Sequence, residues 1–109
     1  MDDELQRRLA SNDSVFRDVN EGIERGQWPG EDADPVRFRC ECARLGCNLL
    51  VEVTLPAYEQ VRSHPRRFVM IEGHQVPELE TVVQREPGYV VVQKLDEAGE
   101  QAEAANPRS

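Results

Sequence analysis

The sequence lacks any apolar run longer than six residues, whereas a membrane-spanning helix needs about 20; no bilayer segment is expected. Its start, Met1-Asp2-Asp3-Glu4, is acidic and no apolar stretch follows, so no secretion signal is expected either. Aromatic residues make up 6% and hydrophobic residues 39% of the 109 positions, a thin supply for a globular core. Cysteine occurs three times, an odd number that does not suit a disulfide framework. Reduced thiols in a cytoplasmic setting are expected instead. Net positive charge is missing too: the formal charge is −8, which weighs against non-specific binding to nucleic acid or to an anionic membrane. No Ser-His-Asp, phosphate-loop or dinucleotide pattern is present, and nothing specifies catalysis.

The chain length fits one domain and not two. With both ends poorly patterned, about 60–75 residues remain for a packed unit, a size that commonly needs a disulfide, a metal or a partner. Charge is unevenly spread. Residues 1–35 carry 4 basic and 10 acidic groups, residues 36–74 carry 6 and 4, and residues 75–109 carry 3 and 7. The basic middle leaves room for a local anion site, with Arg62, Arg66 and Arg67 around His64-Pro65 as its candidates, against the plainer reading of a solvated basic loop.

Residues 1–10 read as a flexible N-terminus. Residues 11–26 read as a helix, with Asp13 or Ser14 at its start, Val15, Phe16, Val19 and Ile23 on one face, and Gly26 at its end. Residues 27–35 read as a linker, in which Trp28 is the one residue suited to pack back onto the domain. Val36 to Cys40 alternates apolar and basic residues and predicts a strand. Asn48 to Thr54 predicts its return. Thr54 then caps a short helix, Leu55–Arg62, that tolerates Pro56 in its first turn and points Tyr58 and Val61 at the sheet. Arg67 to Ile71 is a further strand. Leu79 to Val83 and Tyr89 to Val92 form a hairpin turning at Pro87-Gly88, and an exposed edge near Val90 would offer a dimer contact. From Leu95 on, the text lacks apolar periodicity, so residues 96–109 read as a disordered acidic tail.

The chemical signal is Cys40-x-Cys42-x4-Cys47, three thiols within eight residues between two predicted strands. Zinc takes thiolates in a tetrahedron with bonds of about 2.3 Å, so its ligands must converge from a compact turn. A strand end running into a knuckle that contains Gly46 does this. The x1 spacing is tighter than in common finger patterns. Three thiolates need a fourth ligand. His74, after Gly73 in a turn, is the leading candidate; His64, water, Glu41 and Glu72 stay open. A Cys3His set would carry −1 with the ion, and Arg39 or Arg44 could offset it. Two other readings stand beside this one: three ordinary cysteines, of the kind often buried as small hydrophobes, and a redox pair, Cys40–Cys42, with Cys47 as resolving thiol. Glu78 and Glu80 near His74 form a weaker acid–base candidate in so acidic a chain.

Phe38-x-Cys40-Glu41-Cys42, Cys47, Val53-Thr54, Tyr58-Glu59-x-Val61-Arg62, Pro65-x-Arg67-Phe68 and Gly73-His74, followed by Glu80-x-Val82-Val83 and Tyr89-Val90-Val91-Val92-x-Lys94, form one string. It resembles a family of small uncharacterised bacterial proteins, mostly of actinomycete-type genomes. The likeness covers residues 14–95, including Phe16-Arg17-x-Val19-Asn20-Glu21. It implies that the three cysteines and Gly73-His74 belong to one unit, and it implies no activity. Ala57 stands where that family has an acid, and Glu72 where it has proline.

The expected fold is α+β: an N-terminal helix, a small, mostly antiparallel sheet of four or five strands over residues 36–95, and one short helix. One zinc ion on Cys40, Cys42, Cys47 and His74 would staple it together. The expected role is a cytoplasmic zinc-binding module acting through an unidentified protein partner. The alternatives are a thiol-redox or zinc-dependent enzyme, or a nucleic-acid-associated module.

Overall fold

The structure, a computed structural model, describes residues 3–26, 34–42, 44 and 46–108. Trp28 and most of the linker lie outside the described residues, as do Ala43 and Leu45 of the knuckle. The element order is α1 (Asp3–Gly26), β1 (Pro35–Arg39), β2 (Leu50–Thr54), α2 (Leu55–Arg62), β3 (Arg67–Met70), β4 (Glu80–Glu86), β5 (Tyr89–Lys94) and α3 (Asp96–Ala104). The α+β expectation holds, with the five strands divided between two antiparallel sheets, β1-β2 and β3-β5-β4.

Local chemistry accounts for most of these elements. In β1 and β2 the side chains alternate, so Phe38, Val51 and Val53 turn inward while Arg37 and Glu52 stay outside. Thr54 Oγ1 accepts the Ala57 N–H at 3.3 Å, closing the open first turn of α2. From α2, Tyr58 and Val61 enter the core, and the Tyr58 ring stacks on Phe38 at 4.2 Å between centroids. Glu86 pairs with Tyr89 across Pro87-Gly88, and Gly88 takes the positive φ of 90° that this two-residue turn requires. The two sheets meet beyond the end of β1, where the Glu41 N–H donates to Val69 O at 2.8 Å.

Three expectations are corrected. The helix starts at Asp3, not at Ser11, because residues 3–10 are rich in Leu, Gln, Arg and Ala, all good helix formers, with acids in the first turn. Asp13 and Ser14 are therefore mid-helix and buried, not capping residues. Of the apolar face read from the sequence, Phe16 is buried, whereas Val15 and Val19 are exposed. The buried face also carries Asp13, Arg17, Asn20 and Glu21, each with a partner inside the fold.

The second correction concerns residues 96–104, which form α3 and not a disordered segment. Its inward face is Ala98, Gly99 and Ala102, too small to register as apolar periodicity but well suited to close packing. A Cβ on Gly99 would run into the Arg66 guanidinium. Arg17 Nη2 donates to Ala102 O at 2.9 Å and Nη1 to Pro65 O at 2.8 Å, fixing α3 to α1. The third correction is Val90: β5 is the central strand of its sheet and Val90 is buried, so it offers no edge.

An ionic seam runs beneath α1. Lys94 of β5 is fully buried and meets both Asp13 of α1 and Glu80 of β4. Its Nζ lies 5.3 Å from the centre of the Phe68 ring, and the Arg17 guanidinium lies 4.6 Å from it. Farther along, Arg62 Nε donates to Glu21 at 2.6 Å. Arg108 bridges Glu21, Glu24 and Glu59 at 2.7–2.9 Å, tying the end of the described chain to α1 and α2.

Candidate metal centre

The knuckle between β1 and β2 carries the three thiols, and the turn after β3 carries the histidine. Cys40 N–H donates to Leu49 O at 3.0 Å and Cys47 N–H to Arg44 O at 2.9 Å, so the knuckle folds back on itself and turns its sulfurs to one side. His74 N–H donates to Ile71 O at 3.0 Å. Gly73, with φ of 97°, makes that turn. One donor atom from each of Cys40, Cys42, Cys47 and His74 lies within 4.8 Å of all the others. His74 Nδ1 is 3.6 Å from Cys40 Sγ and 3.8 Å from Cys47 Sγ. A tetrahedral zinc with bonds of about 2.3 Å to sulfur and 2.0–2.1 Å to nitrogen places S and N about 3.6 Å apart. The separation fits.

The surroundings suit a cation. Cys40 and Cys42 are buried, and Cys47 and His74 are half-buried. Burial pushes the Cys40 and Cys42 thiols above their ordinary value; a divalent ion among them would favour the thiolates that burial alone disfavours. The Ile71 N–H donates to Cys40 Sγ at 3.1 Å and the Arg44 backbone N–H to Cys42, bonds that stabilise thiolate ligands. Burial, then the Arg44 charge, moves His74 below its ordinary pKa, keeping the ring in the neutral form that can ligate. No disulfide links the three cysteines.

The other candidates for fourth ligand are elsewhere. His64 is exposed in the turn after α2. Glu72 pairs with Arg85 at 2.5 Å. Glu41 points away from the sulfurs and is fully buried, accepting bonds from Asn20 Nδ2 and Tyr58 OH at 2.8 Å each and from Val69 N–H at 2.9 Å. Burial raises its pKa, against the pull of those three donors. Strand alternation was the available signal: a residue between two thiols on one side must face the other.

Comparison with protein-family models, with curated proteins and with solved structures returns no match.

Of the basic residues offered for an anion site, Arg62 is buried against Glu21, Arg66 pairs with Glu103, and Arg67 bonds Gln93 at 3.1 Å. The fold uses all three internally. Glu80 is held by Lys94 and Glu78 is exposed, so no acid–base pair forms beside His74. Asn20 was missed by sequence reasoning. It donates to Arg39 O at 2.8 Å and accepts the Arg39 N–H at 2.7 Å, holding the strand end from which Cys40 emerges. Its trace in the sequence was its place in the string Phe16-Arg17-x-Val19-Asn20-Glu21, which assigned it no role. No described helix is long and apolar enough to cross a membrane.

Proposed function

We propose that this chain is a small zinc-binding module with a structural Cys3His site formed by Cys40, Cys42, Cys47 and His74. The observation that carries this reading is the convergence of four donors at tetrahedral spacing from two segments about 30 residues apart in sequence. Four protein ligands fill a zinc tetrahedron, whereas catalytic zinc keeps a position for water. The resemblance to the bacterial family supports treating the cysteines and Gly73-His74 as one unit.

In this reading the role is protein contact in the cytoplasm. Leu49 and Leu50, each 49% exposed, stand directly beside the knuckle, where the metal would hold them in place. The test is metal stoichiometry with ligand assignment on the purified chain. One zinc per chain with three sulfur and one nitrogen neighbours by X-ray absorption is expected. His74→Ala should weaken zinc affinity by at least tenfold and His64→Ala should leave it unchanged. Equal effects would refute the assignment of the fourth ligand, and a metal-free chain with freely alkylated thiols would refute the site.

A further inference from the structure

The four donors are not equally shielded. Cys40 and Cys42 are 1% and 0% exposed, whereas Cys47 and His74 are half-buried. Both open onto a shallow cleft of about 400 Å³ lined also by Arg44, Gly46, Asn48 and Leu49. A small polar molecule therefore reaches one sulfur and not the other two, and it meets the Arg44 charge as it does so. On the protein side, the Cys42 sulfur lies within 4.8 Å of both other sulfurs.

We infer that Cys47 is an oxidation site at which a hydroperoxide triggers release of the metal, an inference that rests on the zinc reading above. The Cys47 thiolate attacks the distal oxygen of the hydroperoxide. The O–O bond breaks, an S–O bond forms, and alkoxide or hydroxide leaves, taking a proton from water. The Cys42 thiolate then attacks the Cys47 sulfur, forming the S–S bond and expelling hydroxide. Two electrons pass from the pair of sulfurs to one hydroperoxide, which is reduced to water or to alcohol and water. Only Cys40 and His74 remain as donors, too few to retain zinc. The four residues between Cys42 and Cys47 leave slack for the bridge, whereas the single residue between Cys40 and Cys42 does not.

The sequence makes the outcome easy to read. Trypsin cuts after Arg39 and Arg44, which puts Cys40 and Cys42 on one short peptide and Cys47 on another. The full chain is loaded with zinc, its metal content measured, and hydrogen peroxide added in steps while freed zinc is read with a chromogenic chelator. One zinc should be released per peroxide consumed, with two tryptic peptides joined by a disulfide that fragmentation assigns to Cys42 and Cys47. Under limiting peroxide with a sulfenic-acid trap, the label should fall on Cys47. A dithiol reductant with added zinc should restore full loading. Zinc retained in excess peroxide, a disulfide confined to the Cys40–Cys42 peptide, or a label on Cys40 or Cys42 first would each overturn the inference and leave the structural site standing. A chain that takes up no zinc before peroxide is added overturns the metal reading, and the release with it.

Discussion

The knuckle and the seam beneath α1 both hold distant parts of the chain together, and they do so by opposite means. In the knuckle, three donors lie within eight residues and a fourth is brought up from β3, so one divalent ion can serve all of them. In the seam, Asp13, Glu80 and Lys94 come from three separate elements, and the two acids share the one ammonium without a ligand. Buried ion pairs seldom add much net stability, because desolvation cancels most of the attraction, but removing one partner is expensive. The seam thus specifies where α1 sits, and the knuckle is the region able to supply folding free energy.

Removing the metal is the strongest way to break that comparison. Structural zinc contributes about 10–16 kcal/mol in small zinc peptides, comparable with the whole stability of a domain, about 5–15 kcal/mol. Chelation should abolish the near-ultraviolet circular dichroism signal and the cooperative thermal transition. An apo protein that still melts cooperatively would make the seam the dominant support. Next in size is Lys94→Met, which leaves Asp13 and Glu80 facing each other in the interior. A loss of about 3–5 kcal/mol is expected, read as a lowered urea midpoint of the zinc-saturated protein. A change below 1 kcal/mol would show that the seam carries no such penalty.

A subtler test uses pH. Burial, opposed by Lys94 and reinforced by Glu80 and Glu41, lifts the Asp13 carboxyl from 3.8 to about 7. Lys94 loses charge affinity through burial but gains more from Asp13 and Glu80, and its net direction is upward. Between the two Asp13 values the folded protein holds a proton that the unfolded chain has released. The Asp13 contribution to stability therefore falls as pH rises from about 4 to about 7. Asp13→Asn removes this slope, so the variant should gain on the wild type between pH 5 and 7.5 in paired urea titrations. Taking the difference cancels the shared pH dependence of the metal site; parallel curves would refute the assignment. Smallest is Thr54→Ala, which removes the α2 cap far from both regions. It should cost about 1 kcal/mol and leave zinc affinity unchanged.

Legibility in the sequence followed the same division. Strands β1, β2, β3 and the β4–β5 hairpin announced themselves through alternation and turn residues, and α2 through Thr54 and Pro56, because those signals are local. The thiols were legible for the same reason. His74 was found by needing a fourth donor, and the fold does place it there. The inward face of α1 was not legible: it buries charged groups whose ion-pair partners sit between 41 and 87 residues away, and no window along the chain contains both halves of a pair. Helix α3 escaped because alanine and glycine pack without an apolar signature.

Glu41 gives the knuckle its last consequence. Flanked in sequence by two sulfur donors, it reaches through the protein to Asn20, Tyr58 and Val69, on α1, α2 and β3. No spacer residue separates the two sides, so any rotation of the chain at Cys40 or Cys42 must swing this carboxylate out of its three bonds or pull those elements after it. Position 41 works as an axle with the four-donor cluster at one end and the long helix at the other, which ties α1 mechanically to the arrangement of those donors.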